Sequence, residues 1–117
     1  MVTPMVQDVP EHLVEAGRGY ERLFVPALFS AWTKHLVDGA RVREGSHVLD
    51  VACGTGVLSR SALNRTGAKG RVVGINPAPG MLAAANEIEP SIEWGWVIPR
   101  KVAAFRQRDF YLERIYK

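Results

Sequence analysis

The chain has 117 residues, 47% hydrophobic and 23% charged, with a formal net charge of +3. That length holds at most one domain, large enough to bury a core without disulfides, and the composition is that of an ordinary globular protein. No run approaches the ~18 apolar residues of a membrane helix, and one cysteine excludes an internal disulfide or a cysteine-based zinc cage.

Residues 1–19 read as a polar N-terminal segment, loosely held. They lack the continuous apolar stretch of a secretory signal, so a cytoplasmic location is expected. From Tyr20 to about Asp38, apolar residues recur at helical spacing: Tyr20, Phe24, Leu28, Trp32 and His35 or Leu36. Pro26 is expected near a first turn or at a kink, and Tyr20, Phe24 and Trp32 are expected in the core. The run "HVLDVA" (47–52) predicts a central parallel strand. "CGTG" breaks it, and "VLSRSALNR" (57–65) predicts a helix. "RVVGI" (71–75) predicts a second strand, "NPAPG" a loop with a proline suited to a helix start, and "MLAAANEIE" a second helix. "SIEWGWVI" (91–98) predicts a third strand with Trp94 and Trp96 on one face, where core packing is the simpler role.

Residues 99–117 form a basic, helix-compatible tail. Positions 98–117 carry six Lys/Arg against two acids, and positions 1–97 carry nine against ten. A solvated helix face accounts for that charge more simply than nucleic acid does, so no nucleic-acid partner is expected. Alternation of strand and helix through short loops predicts an α/β fold: a parallel sheet of about three strands with helices on both faces, half of a doubly wound sheet. His12, His35 and His47 have no metal-ligand spacing, so no metal site is expected.

"VLDVACGTGVLSR" carries the chemistry. A strand ends in Asp50, and a glycine-rich turn then opens a helix. Gly54 and Gly56 permit close backbone approach to a ligand, and the helix points its amides and positive dipole end at that turn. Strand C-termini of open α/β sheets are where ligands sit. Ser59 stands where a dinucleotide fingerprint has glycine or alanine, which argues against a nicotinamide-dependent dehydrogenase. Asp50 has a second reading, as a helix cap. Cys53 reads as a small wall residue rather than a nucleophile.

The segment resembles the first motif of class I S-adenosylmethionine-dependent methyltransferases, acid-x-Gly-x-Gly-x-Gly, with Asp50, Gly54 and Gly56 in place and Ala52 for the first glycine. "GRVVGINPAPGMLAAA" and "YERLFVPALFSAWTKHLV" are similar to the type 11 group related to ubiquinone and menaquinone biosynthesis. The resemblance covers residues 20–94. It implies a truncated Rossmann-like three-layer sandwich, with residues 20–98 the N-terminal half of the domain, and methyl transfer from S-adenosylmethionine to a small-molecule acceptor. It implies that Asp50, Val51, Ala52, Cys53, Gly54, Thr55 and Gly56 lie beneath the methionine part of the cofactor. Asn76 and Pro77 fall at the ribose, Met81 near the adenine, and Tyr20 over the carboxylate end.

Asn76 departs from the acid usual in that family. An amide offers one acceptor oxygen where a carboxylate offers two, and losing a hydrogen bond to a charged group costs about 1.5–3 kcal/mol. Ribose binding is therefore expected to be weakened rather than abolished.

The resemblance ends after Trp94. The acidic loop and fourth strand of relatives do not follow, so the catalytic residues stay unassigned. Residues from about 95 onward are expected to be a frame-shifted reading: codons available to Ala104–Phe110, read one nucleotide later, can spell P-F-D-S-G-T-F. Three strands leave a sheet edge open, and an open edge predicts self-association. A non-catalytic nucleotide- or partner-binding fragment, acting through the basic tail, is the alternative to a truncated enzyme.

Overall fold

A computed structural model describes residues 3–4 and 7–97 of the chain. In chain order the elements are β1 (Thr3–Pro4), α1 (Glu11–Phe24), a π-helical turn (Val25–Phe29) and α2 (Ser30–Gly39). These are followed by β2 (His47–Val51), α3 (Val57–Thr66), β3 (Arg71–Asn76), α4 (Pro79–Ile88) and β4 (Glu93–Trp96). The basic tail expected to be helical, and the frame-shift expectation for it, lie outside the described residues, save that Gly95 and Trp96 belong to β4.

The sheet order is β1-β4-β3-β2, with β2–β3 and β3–β4 parallel and β1–β4 antiparallel. The three predicted parallel strands are present. Val48 pairs in register with Val72, and Gly74 with Trp94, so Val48, Val72, Gly74 and Trp94 share one face. That face joins Ala62 of α3 and Leu82 and Ala85 of α4 in a single core cluster. The connections β2–α3–β3 and β3–α4–β4 advance in one direction along the sheet. Right-handed crossovers then put α3 and α4 on the same side. Helices on both faces were expected; among the described residues both crossover helices share one face.

Helix α1 begins at Glu11, nine residues before the apolar stripe, so residues 11–19 are ordered helix rather than loose chain. Small residues explain it. A Cβ on Gly17 would lie 2.6 Å from the Gly80 carbonyl oxygen, and one on Gly80 would lie 2.3 Å from that of Leu13. The close backbone approach between α1 and α4 is made by glycines, which add nothing to an apolar pattern. Arg18 adds bonds to Glu87 at 2.7 and 2.9 Å and to Glu11 at 2.6 Å.

Pro26 has no N–H, and its ring would crowd the carbonyl four residues back. The chain responds with the π turn, in which the Ser30 amide donates to the Val25 carbonyl and the Ser30 hydroxyl reaches the same oxygen at 2.9 Å. The turn rotates the helix, and the predicted stripe does not enter the core. Phe24 is 51% exposed and Trp32 63% exposed, while Val14, Val25 and Val37 are buried instead. The expectation that Phe24 and Trp32 are core residues is therefore corrected.

The β4 edge of the sheet is bridged by β1 through Thr3–Trp96 and Pro4–Gly95. At the other edge, no strand pairs with the outer side of β2 among the described residues. None of the described helices is long and apolar enough to cross a membrane.

Candidate functional site

The strand β2 ends in a turn with three left-handed residues: Ala52 at φ 59°, Gly54 at φ 58° and Gly56 at φ 90°. The Cys53 amide still donates to the Ile75 carbonyl (3.0 Å), holding the turn against β3, and the Gly56 amide donates back to Cys53 (2.9 Å). Gly56 is the N-cap of α3, so the turn delivers the chain directly to a helix N-terminus. A Cβ at Gly56 would lie 2.3 Å from the Trp94 ring, and one at Gly74 would lie 2.5 Å from it. Both glycines therefore make room for a buried indole, whose Nε1–H donates to the Glu89 carbonyl (3.0 Å). Core packing is the role the sequence assigned to Trp94.

Asp50 is 8% exposed, and its Oδ2 accepts the Ser59 hydroxyl at 2.6 Å. Burial pushes its carboxyl above the usual range, while the Ser59 hydroxyl and amide oppose that shift. The Cys53 thiol is pushed up to about 12, first by burial and then by the nearby Asp50 carboxylate. A thiol in that state is no nucleophile at neutral pH.

Above the turn lies a cleft of about 540 Å³, within the range of small-molecule sites. Asp50 to Thr55 and Tyr20 line it on one side. Leu28, Phe29, Trp32 and Leu36 form an apolar wall. Tyr20 stacks with Phe24 (5.7 Å between centroids) and Phe29 (5.9 Å). A Cβ on Gly54 would lie 3.7 Å from the Tyr20 ring, so glycine leaves a methyl-sized slot between backbone and ring.

Of the residues singled out from sequence, Tyr20 and Asp50–Thr55 line this cleft, whereas Gly56, Asn76, Pro77 and Met81 are not among its lining residues. Asn76 lies at the end of β3, next to the Ile75 carbonyl that tethers the turn. Its Oδ1 accepts the Ala78 amide at 2.8 Å, and Trp96 Nε1 donates to the Pro77 carbonyl at 2.9 Å. That acceptor oxygen is already committed to the loop. Among the described residues no group of three or more His, Cys, Asp or Glu side chains could hold a metal ion.

Sequence reasoning missed Glu21 and Arg60. Glu21 Oε2 accepts the Thr55 hydroxyl at 2.5 Å, Glu21 Oε1 pairs with Arg60, and Arg60 Nη1 donates to the Thr55 carbonyl at 2.8 Å. Separations of 34 and 39 residues left no local signal for the two Glu21 contacts.

Comparison with known proteins follows the same lines. The family described as a methyltransferase domain matches residues 48–107, 60 of the 117 residues. Over 70 residues the chain is 40% identical to the 2-phytyl-1,4-naphtoquinone methyltransferase of Thermosynechococcus vestitus, covering 57% of this chain and 31% of that protein. Over 81 residues it is 33% identical to an aklanonic acid methyltransferase of a Streptomyces species, covering 69% of this chain and 36% of that one. A TehB-like SAM-dependent methyltransferase from Corynebacterium glutamicum superposes with a TM-score of 0.53 at 20% identity, over 74% of this chain and 45% of that one, a likeness of fold. The chain thus spans about a third of the length of the curated relatives it matches.

Proposed function

This chain belongs to the methyltransferase domain family, and we propose that its Asp50–Gly56 turn binds S-adenosylmethionine for methyl transfer to a small-molecule acceptor. The observation that carries the reading is the turn itself. Left-handed Ala52 and Gly54 line a cleft at a parallel strand's C-terminus, and left-handed Gly56 leads into a helix N-terminus. Val51 to Thr55 then meet the methionine moiety largely through backbone, and Tyr20 closes over its carboxylate end. Asn76 and Pro77 serve the ribose, and Met81 the adenine. Bound S-adenosylmethionine supplies an electrophilic sulfonium methyl, and the protein's part is to hold acceptor and methyl in line.

The acceptor is an apolar ring system. Two relatives are named for a naphthoquinone and for aklanonic acid, and the cleft wall of Leu28, Phe29, Trp32 and Leu36 is of matching chemistry.

Calorimetric titration with S-adenosylmethionine and S-adenosylhomocysteine, with NAD as control, tests the reading. Micromolar binding of the first two alone is expected. No binding by a folded chain refutes it. A second reading is a non-catalytic nucleotide- or partner-binding fragment. Deleting residues 100–117 tests that one: loss of a partner with cofactor binding intact supports it.

A further inference from the structure

We propose that Glu21 is a positioning residue for the cofactor turn, a carboxylate clamp that sets the slot between Tyr20 and Gly54. The inference rests on the reading that this turn binds S-adenosylmethionine. Thr55 lies between two left-handed glycines, where the backbone has little stiffness of its own. It is 1% exposed, and both of its polar ends are taken: the hydroxyl by Glu21 Oε2 at 2.5 Å, the carbonyl by Arg60 Nη1 at 2.8 Å. Glu21 and Arg60 close the ring by pairing with each other, with side chains only 20% and 22% exposed. Charge-assisted bonds in a partly dry setting are the strong, directional kind.

The clamp acts on both sides of the slot. Through Thr55 it fixes the turn. Through the peptide bond it fixes Tyr20, its neighbour on α1, whose ring faces Gly54. An element that merely tied α1 to α3 would have no need to engage the one residue between the two glycines. Glu21 touches no substrate in this account; it acts through Thr55, Arg60 and Tyr20.

The test uses the full chain as wild type, Glu21→Gln, Arg60→Met and the double variant. S-adenosylhomocysteine affinity is measured by calorimetry, and amide hydrogen exchange is followed across residues 53–58 without ligand. Gln keeps the shape of Glu and removes the charge. Each single variant is expected to weaken binding about tenfold, and the double variant no further than the weaker single, because the residues work as one unit. Exchange at 53–58 rises while the sheet stays protected. Wild-type affinity and exchange in Glu21→Gln overturn the clamp. So does multiplication of the two losses in the double variant, or a rise in exchange spread evenly over α1, α4 and the sheet. If the wild type itself fails to bind, the cofactor reading falls, and exchange at 53–58 decides the clamp alone: no rise in Glu21→Gln overturns it.

Discussion

The Ser59 hydroxyl donates to Asp50 Oδ2 across 2.6 Å in the interior, joining the end of β2 to the third residue of α3. The acid of the glycine motif thus sits against the first turn of α3, where the positive dipole end favours a carboxylate. Removing the hydroxyl in Ser59→Ala takes a hydrogen bond from a charged, buried group, and should cost about 1.5–3 kcal/mol. Urea unfolding at neutral pH measures it; an unchanged midpoint contradicts the role.

The same carboxylate gives a pH dependence. Burial raises the folded pKa of Asp50 above its unfolded value, which is about 3.9. The folded state then binds the proton more tightly. This contribution to stability is greatest below the unfolded pKa and is lost as pH rises through the folded one. Asp50→Asn keeps an acceptor and removes the charge. The stability of wild type relative to Asp50→Asn should therefore fall from about pH 3.9 upward and level off above the folded pKa. A flat difference across that window refutes the assignment.

Gly56 and Gly54 share a left-handed backbone but differ in surroundings. A Cβ at Gly56 meets the Trp94 ring at 2.3 Å, whereas one at Gly54 meets Tyr20 at an ordinary 3.7 Å. Gly56→Ala should cost more than about 2 kcal/mol, from backbone strain plus displacement of a core indole, and Gly54→Ala about 1 kcal/mol from strain alone. Ala52 sits at φ 59°, so Ala52→Gly should stabilise by roughly 1 kcal/mol. Chemical denaturation of the three variants ranks them.

Asn76 holds the Ala78 amide with its side-chain oxygen. A carboxylate there could keep that bond and offer a second, charged oxygen. Asn76→Asp should tighten S-adenosylhomocysteine binding by about tenfold, the worth of one hydrogen bond to a charged group. Unchanged affinity sinks the ribose role.

Trp32 and Leu36 are 63% and 52% exposed on one side of α2, and Val51 is 61% exposed at the end of β2. All three line the cleft, and exposed apolar surface favours association. Trp32→Lys with Leu36→Lys should shift the sedimentation distribution towards monomer. A distribution that does not move removes this face as the cause.

The three parallel strands, the crossover helices and the glycine turn were legible in the sequence by itself. Their signals are local: β-branched runs such as "RVVGI", Pro79 at a helix start, and an acid followed by glycines. Packing overrode the stripe from Tyr20 to Leu36, because Pro26 opens a π turn that rotates the helix. The early start of α1 was hidden because its contact with α4 is made by Gly17 and Gly80, which have no hydrophobic period. Tertiary structure alone decided what holds the turn: Ser59 on Asp50, Trp94 over Gly56, and Glu21 and Arg60 on Thr55. Ser59 reaches Asp50 across 9 positions and Glu21 reaches Thr55 and Arg60 across 34 and 39, whereas Arg60 and Thr55 are 5 apart. Local propensity fixes a backbone's period but carries no information about which distant side chain will arrive beside it.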